Sequence, residues 1–287
     1  MSVSTRSPAA PTRMRTTGRS QRGPLAWLRR NIIVVLGTLA FIYLLLPNLI
    51  VVIFSFNNPT GRFNYSWSAF SLDAWLHPCG APGMCSALGL SLKIGVTATI
   101  LATILGTLAA FALTRHRFRG RALINLLIFM PMATPEVVMG SSLLTLFIGL
   151  RFPLGAWTII IAHVMFCVSF VIVTVKARVA GLDPNLEEAA ADLYSNERQT
   201  FLRVTLPLVA PGIAAGALLA FSLSFDDYII TNFNAGSDVT FPMYIWGAAQ
   251  RGTPVQINVI GTIMFLVALI AVAVGQVIGA RRRRSAA

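Results

Sequence analysis

Long runs of apolar residues alternate with short polar segments along most of this chain. About 20 consecutive apolar residues are enough for a helix to cross a bilayer, and six stretches reach that length. They span residues 31–54, 88–113, 123–150, 156–175, 206–230 and 257–280. The pattern therefore predicts an all-α integral membrane protein with six transmembrane helices, in which residues 25–287 form the membrane domain.

Two prolines interrupt the third apolar stretch. Pro131 and Pro135 each lack an amide donor, so we expect a break or a kink there. Non-helical backbone at membrane depth is tolerated where it is buried in protein or lines a water-filled cavity. His163 in the fourth stretch is better explained by a hydrogen bond to a neighbouring helix than by a role as a substrate ligand, and no partner cluster for a metal accompanies it.

Composition agrees with this class. Apolar residues make up 55% of the chain and charged residues only 11%, and the mean hydropathy is +0.72. These values lie far from those of a soluble domain. The polar insertions are also too short to hold a separate catalytic domain.

The positive charges predict the orientation. Of the 23 Lys and Arg residues, seven fall in residues 1–30 and four fall in each of the segments 114–122, 176–205 and 281–284. Only four lie in segments on the other side of the predicted membrane. Because cytoplasmic loops carry the excess of basic residues, both termini and the loop 178–205 should be cytoplasmic. The net charge of +13 is thus a topology signal rather than a sign of nucleic-acid binding, and residues 1–24 are expected to be a disordered basic tail.

Three acids lie inside or at the edge of apolar stretches, namely Glu136, Asp226 and Asp227. A carboxylate at the centre of a transmembrane helix costs about 2.5–3.5 kcal/mol, so these residues need a reason to be there. No basic residue in the fifth stretch neutralises the Asp226–Asp227 pair, which favours a visiting cation. A salt bridge to another subunit, or a position wetted at the outer surface, remains the alternative.

Two cysteines lie in the predicted first outer loop. Cys79 and Cys85 face the compartment where disulfides persist, and Gly80, Pro82 and Gly83 between them allow a tight loop. A disulfide and two free thiols both remain open.

The loop 178–205 contains a helix that is not a membrane span. Asp183 and Pro184 read as an N-cap and a first helical residue. The apolar positions that follow fall at i, i+3, i+4 and i+7, and these are Leu186, Ala189, Ala190 and Leu193. Such a stripe on an acidic helix predicts a surface that docks in a groove of another protein.

This loop resembles the cytoplasmic signature of ABC-importer permeases. Glu188, Ala189 and Ala190 match its first half, and Val204, Leu206 and Pro207 match its second half at the expected spacing, with Val in place of Ile. Tyr194 stands where that family has Gly. The resemblance implies that Glu188 and its helix engage an ATPase subunit.

Further segments extend the resemblance over almost the whole chain, to the second permease subunit of spermidine/putrescine-type ABC importers. They are Phe-Ser-Phe-Asn at 54–57, Arg-Phe-Arg-Gly at 117–120, Pro-Glu-Val-Val-Met at 135–139, Leu-Ser-Phe-Asp-Asp at 223–227 and Phe-Pro-Met-Tyr-Ile-Trp at 241–246. The resemblance implies a polyamine route lined by Trp75, Glu136, Ser224, Asp226 and Asp227.

The same resemblance implies a type I importer permease fold in the inner or plasma membrane and a set of partners. These are a homologous permease, a dimer of ATPase subunits and an extracytoplasmic substrate-binding protein. ATP and Mg²⁺ would be bound by the ATPase, and no cofactor is expected in this chain.

Other functions receive less support. A phosphate-binding loop needs Gly-Lys-Ser/Thr, but Lys93 and Lys176 follow Leu92 and Val175, so this chain is not expected to be an enzyme that hydrolyses ATP. A stand-alone secondary transporter usually shows internal repeats with interrupted helices in both halves. An importer permease for another small solute, such as sulfate, iron or phosphonate, remains the main alternative.

Overall fold

The computed structural model describes residues 24–116, 118–183, 185–192 and 195–285, and this part of the chain is almost entirely helical. Residues 1–23 of the predicted tail lie outside the described residues. A π-helical turn, Phe201–Thr205, leads directly into the helix that begins at Leu206. The α-helices, in chain order, are α1 Pro24–Phe54, α2 Asp73–Leu76, α3 Met84–Arg115, α4 Arg121–Ala133, α5 Glu136–Gly149, α6 Ala156–Ala180, α7 Asn185–Asp192, α8 Glu197–Thr200, α9 Leu206–Asp226, α10 Ile229–Asn234, α11 Phe241–Arg251 and α12 Val255–Ser285.

The six predicted spans correspond to helices of the structure. Within the described ranges, five helical segments are long and apolar enough to cross a membrane, and they belong to α1, α3, α6, the run 197–226 and α12. The third predicted span corresponds to the pair α4 and α5, which are bent by 105° at the break between them and give a sixth span when they are taken together. The prediction of a multi-pass helical membrane protein is thus confirmed.

The break between α4 and α5 has a local cause. Thr134 and Pro135 adopt extended backbone conformations with ψ near 132°, and Pro135 has no amide hydrogen to continue α4. Pro131, by contrast, stays inside α4. The predicted interruption therefore occurs at Pro135, and it places Glu136 at the first position of α5.

The chain divides into two compact units, residues 1–50 and residues 51–287. In the first unit, the side chains of α1 between Ile32 and Ile50 are mostly exposed, as expected of a helix surrounded by lipid or by a partner. In the second unit, α3, α6 and α9 pack closely together. Gly106 of α3 allows this approach, because a methyl group at that position would lie 2.7 Å from Cβ of Val171 in α6.

The fifth span ends earlier than its apolar pattern indicates. The sequence continues it to residue 230, but α9 stops at Asp226, and Asp227 is extended with φ −63° and ψ 125°. The short helix α10 then begins at Ile229. The two neighbouring acids therefore occupy a helix end and a break rather than the interior of a helix.

Candidate functional site

Asp226, the last residue of α9, lines a cavity of about 690 Å³. The side chain of Asp226 is exposed, and so is that of Glu136 at the start of α5. The cavity wall is formed by Glu136, Phe166, Leu223, Phe225, Asp226, Asp227, Tyr228, Ile229, Phe241, Pro242, Ile245, Trp246 and Ala249. The structure thus brings together three predicted acids from two different spans.

Aromatic rings form part of the same wall. The rings of Tyr228 and Trp246 lie with their centroids 5.3 Å apart, and Trp246 is 57% exposed. Tyr and Trp faces attract cations within about 6 Å of the ring centre. Carboxylates and exposed aromatic faces in one cavity are suited to an organic ammonium ion, which offers both charge and apolar carbon.

Asp227 also contributes to this wall, but its side chain has protein partners. Its Oδ2 accepts hydrogen bonds of 2.8 Å from both the backbone N–H and the hydroxyl of Thr231, and the Ile230 N–H approaches Oδ1 at 3.4 Å. Asp227 therefore caps the first turn of α10. The residue is only 9% exposed.

His163 of α6 completes a buried polar cluster with this aspartate. Its Nε2 lies 3.3 Å from Asp227 Oδ2 and 3.0 Å from the Thr231 hydroxyl, and its Nδ1 lies 2.7 Å from the hydroxyl of Ser224. His163 and Ser224 are 2% and 4% exposed. The hydrogen bonds predicted for His163 are thus present, and Ser224 is directed to the histidine.

Trp75 lies elsewhere in the second unit. Its indole N–H donates to the Ser55 hydroxyl at 3.3 Å, and its ring stacks on Phe56 with centroids 5.3 Å apart. Trp75 also packs beside buried Ala74 and Val259. The structure therefore does not bring Trp75 to the wall of the cavity that holds Asp226.

The helix predicted in the polar loop is α7, and the side chain of Asp183 accepts a hydrogen bond of 3.0 Å from the Asn185 N–H at its start. Leu186, Glu188 and Ala189 are exposed, whereas Ala190 is half-buried. Three residues named in the sequence analysis, Pro184, Leu193 and Tyr194, lie outside the described residues. The exposed part of the apolar stripe is available to a partner.

Glu187 joins this helix to two spans, a role that the sequence analysis did not identify. Its carboxylate forms a two-bond ion pair with Arg115 at the end of α3, and Thr205 Oγ1 donates to its Oε1 at 2.5 Å. The pKa of Glu187 is lowered below its ordinary value, mainly because Arg115 donates hydrogen bonds to its carboxylate. The only sequence signal for this role was the position of Glu187, an acid directly before the Glu-Ala-Ala motif in a loop rich in basic residues.

The structure joins Cys79 and Cys85 by a disulfide, with their Cα atoms 5.5 Å apart. The bond lies between α2 and the start of α3. Cys167 is a buried free thiol whose Sγ lies 3.4 Å from the Ala220 carbonyl oxygen. Among the described residues, no group of three or more His, Cys, Asp or Glu side chains is placed to hold a metal ion.

Comparison with known proteins gives consistent matches. The family profile described as "Binding-protein-dependent transport system inner membrane component" matches residues 102–284. The chain is 35% identical over 242 residues to the spermidine/putrescine transport system permease protein PotC of Escherichia coli (strain K12), covering 84% of this chain and 91% of that protein. It is 38% identical over 240 residues to the putrescine transport system permease protein PotI of the same organism, covering 80% and 84%.

A solved structure shows the same fold. The crystal structure of a bacterial ABC transporter involved in the import of the acidic polysaccharide alginate superposes with a TM-score of 0.63 at 18% identity, over 89% of this chain and 97% of that one. The two sequence relatives are named as permease subunits of transport systems rather than as enzymes. These matches confirm the resemblance indicated by the sequence motifs.

Proposed function

Because the chain belongs to the family of binding-protein-dependent transport system inner membrane components, we propose that it is the permease subunit that passes polyamines through an ATP-driven importer. The observation that carries the proposal is the acidic and aromatic cavity at the end of α9. The relatives named for spermidine and putrescine transport support the same class of substrate.

The cavity has the chemistry that a polyamine requires. Asp226 and Glu136 offer exposed carboxylates on separate helices, so that two ammonium groups of one extended molecule have separate partners. Hydrogen bonds between charged groups are about twice as strong as neutral ones. The face of Trp246 adds a cation–π contact of roughly 0.5–2 kcal/mol. Several weak contacts of this kind bind a cation without holding it too tightly for release.

The second part of the proposal concerns coupling to ATP hydrolysis. Leu186, Glu188 and Ala189 form the exposed face of α7, which docks in a groove of an ATPase subunit. The distribution of basic residues supports a cytoplasmic position for α7 and both termini, with the Cys79–Cys85 loop on the opposite side. ATP-driven closure of the ATPase dimer then favours one permease conformation because the dimer contacts the two states differently.

The assembly contains subunits besides this chain. A homologous permease completes the membrane passage, two ATPase subunits engage the α7 helices, and an outer binding protein delivers the polyamine. The family is itself described by its dependence on a binding protein, which supports that last partner.

Uptake by the reconstituted complex tests the function. Proteoliposomes that contain both permeases, the ATPase and the binding protein should accumulate labelled putrescine or spermidine only when ATP is supplied. Asp226→Asn should raise the KM about tenfold or more, since a hydrogen bond to a charged group contributes about 1.5–3 kcal/mol. Asp73→Asn is the matched control, because Asp73 is an exposed acid outside this cavity, with its Oδ1 3.3 Å from Nδ1 of His77. Uptake without polyamine selectivity, or normal KM in Asp226→Asn, contradicts the polyamine assignment.

A further inference from the structure

The two adjacent acids at the end of α9 have opposite surroundings. Asp226 is exposed to the cavity, whereas the side chain of Asp227 is only 4% exposed although it forms part of the wall. Asp227 approaches His163, whose side chain is 2% exposed. Asp226 is therefore accessible to a ligand in the cavity, whereas Asp227 is enclosed by protein groups.

Groups of the protein face both carboxylate oxygens of Asp227. Its Oδ2 receives two bonds from Thr231 and faces Nε2 of His163, while its Oδ1 faces the Ile230 N–H. A buried carboxylate is stable only where such donors replace water. An ammonium ion would have to displace these donors in order to bind Asp227, whereas Asp226 needs no such rearrangement.

The hydrogen bonds of His163 connect three helices. The Thr231 hydroxyl donates to Asp227, so it accepts from Nε2–H of His163, while Nδ1 forms a hydrogen bond with the Ser224 hydroxyl. Ser224 belongs to α9, Thr231 to α10 and His163 to α6. One imidazole thus connects both sides of the α9–α10 break to α6, the most buried span, and Asp226 is the last helical residue before that break.

We propose that His163 and Asp227 are a positioning pair that fixes the break between α9 and α10, so that Asp226, rather than Asp227, contacts the transported cation. The proposal refines the proposed function and rests on it for the identity of the cation. Its structural part, the coupling between His163 and Asp227, is independent of what is transported.

Four variants of the assembled transporter test the division of tasks: Asp226→Asn, Asp227→Asn, His163→Gln and the double variant Asp227→Asn/His163→Gln. For each complex, two quantities are measured: the uptake of putrescine and spermidine, and the midpoint temperature of thermal unfolding. Asp226→Asn should raise the KM about tenfold or more, change the ratio of the KM values for the dication and the trication, and leave the thermal midpoint unchanged. Asp227→Asn and His163→Gln should each lower the thermal midpoint and the maximal rate.

The shared role of the pair gives a sharper criterion. The double variant should be no more impaired than the worse single variant, because residues of one network are non-additive. The ratio of the two KM values should stay at the wild-type value in Asp227→Asn and in His163→Gln. A merely structural disturbance of the whole cavity would change that ratio in both.

The contrary results are distinct. The proposal is overturned if Asp227→Asn changes the KM ratio as Asp226→Asn does while His163→Gln keeps wild-type uptake and thermal midpoint. It is also overturned if the effects of the two single variants simply add. If the wild-type complex carries no polyamine, the proposed function fails, and the thermal midpoints of the single and double variants still decide whether His163 and Asp227 act as a pair.

Discussion

The carboxylate of Glu187 in α7 accepts two hydrogen bonds from the guanidinium of Arg115, although the two residues are 72 positions apart in sequence. Thr205, which donates to the same carboxylate, ends the π-helical turn that leads into α9. The 21 residues of α9 extend for about 32 Å, at roughly 1.5 Å per residue, and end at Asp226. A displacement of α7 by an ATPase subunit would therefore act directly on α3 and on the span that carries the cavity acid.

Reversal of this ion pair is the first prediction. Arg115→Glu and Glu187→Arg should each reduce uptake and its coupling to ATP hydrolysis, because each places two like charges in contact. The double variant with exchanged charges should recover part of the activity. Transport and ATPase rates measured on the same proteoliposomes check this. Equal loss in the double variant and in the single variants would show that the pair is not the connection between α7 and α3.

Arg115→Lys offers a milder version of the same test. A lysine keeps the charge but cannot form the two parallel hydrogen bonds of a guanidinium. We expect uptake between that of the wild type and that of Arg115→Glu. Arg62→Lys, at an arginine outside this contact, should leave transport unchanged.

The second prediction concerns pH. The pKa of Glu187 is lowered in the folded protein, so its ion pair stabilises the fold fully above the ordinary carboxyl pKa of about 4.3. This contribution should be lost as the pH falls through the lowered pKa of the folded state. Thermal midpoints of the wild type and of Glu187→Gln, measured from neutral to acidic pH, should converge at the acidic end. A constant difference over the whole range contradicts the assignment.

The third prediction tests the exposed face of α7. Ala189→Arg should abolish binding of the ATPase subunit and ATP-driven uptake, because a long charged side chain cannot enter a groove that accepts a methyl group. Membrane insertion should be unaffected, since Ala189 is exposed in this chain. Ala189→Ser is the matched control and should keep both activities. Normal co-purification of the ATPase with Ala189→Arg would place the docking surface elsewhere.

The lengths of the apolar stretches and the positions of the prolines predicted most of the fold, and each has a physical reason. Bilayer thickness sets the length of an apolar span, and a proline lacks the amide hydrogen that continues a helix, so the spans and an interruption near Pro131 and Pro135 could be predicted from local sequence. The different surroundings of Asp226 and Asp227 could not be predicted from the sequence, because they depend on the residue at which α9 ends. The Arg115–Glu187 pair was also hidden, because no local rule relates positions so far apart.

The disulfide is the fourth prediction. Digestion of the unreduced protein, purified with free thiols blocked, should yield a peptide in which Cys79 and Cys85 are joined. After reduction, both thiols should react with an alkylating reagent, whereas buried Cys167 should react only after unfolding. Two alkylatable thiols in the unreduced folded protein would exclude the bond.

The fifth prediction concerns the contact between α5 and α10, which supports the break near Asp226 from the other side. A methyl group at Gly140 would lie 2.8 Å from the ring of Phe233 and 3.3 Å from the backbone Cα of Ile230. Both residues belong to α10, and Ile230 donates its N–H towards Asp227. Close packing thus leaves room only for glycine at this position.

Gly140→Ala should therefore push α10 away from α5 and lower the stability by about 1–3 kcal/mol, which is the usual effect of an extra methyl group in a packed site. Uptake should fall with it, because the displaced α10 alters the surroundings of Asp227. Gly149→Ala in the same helix is the control, since nothing lies within 4 Å of the methyl group that it adds. That change should be neutral or slightly stabilising, because alanine favours a helix by roughly 1 kcal/mol over glycine. Thermal midpoints and uptake rates of the two variants provide the measurement. If Gly140→Ala is as stable and as active as Gly149→Ala, then α10 is free to move away from α5, and the break at Asp227 does not depend on this contact.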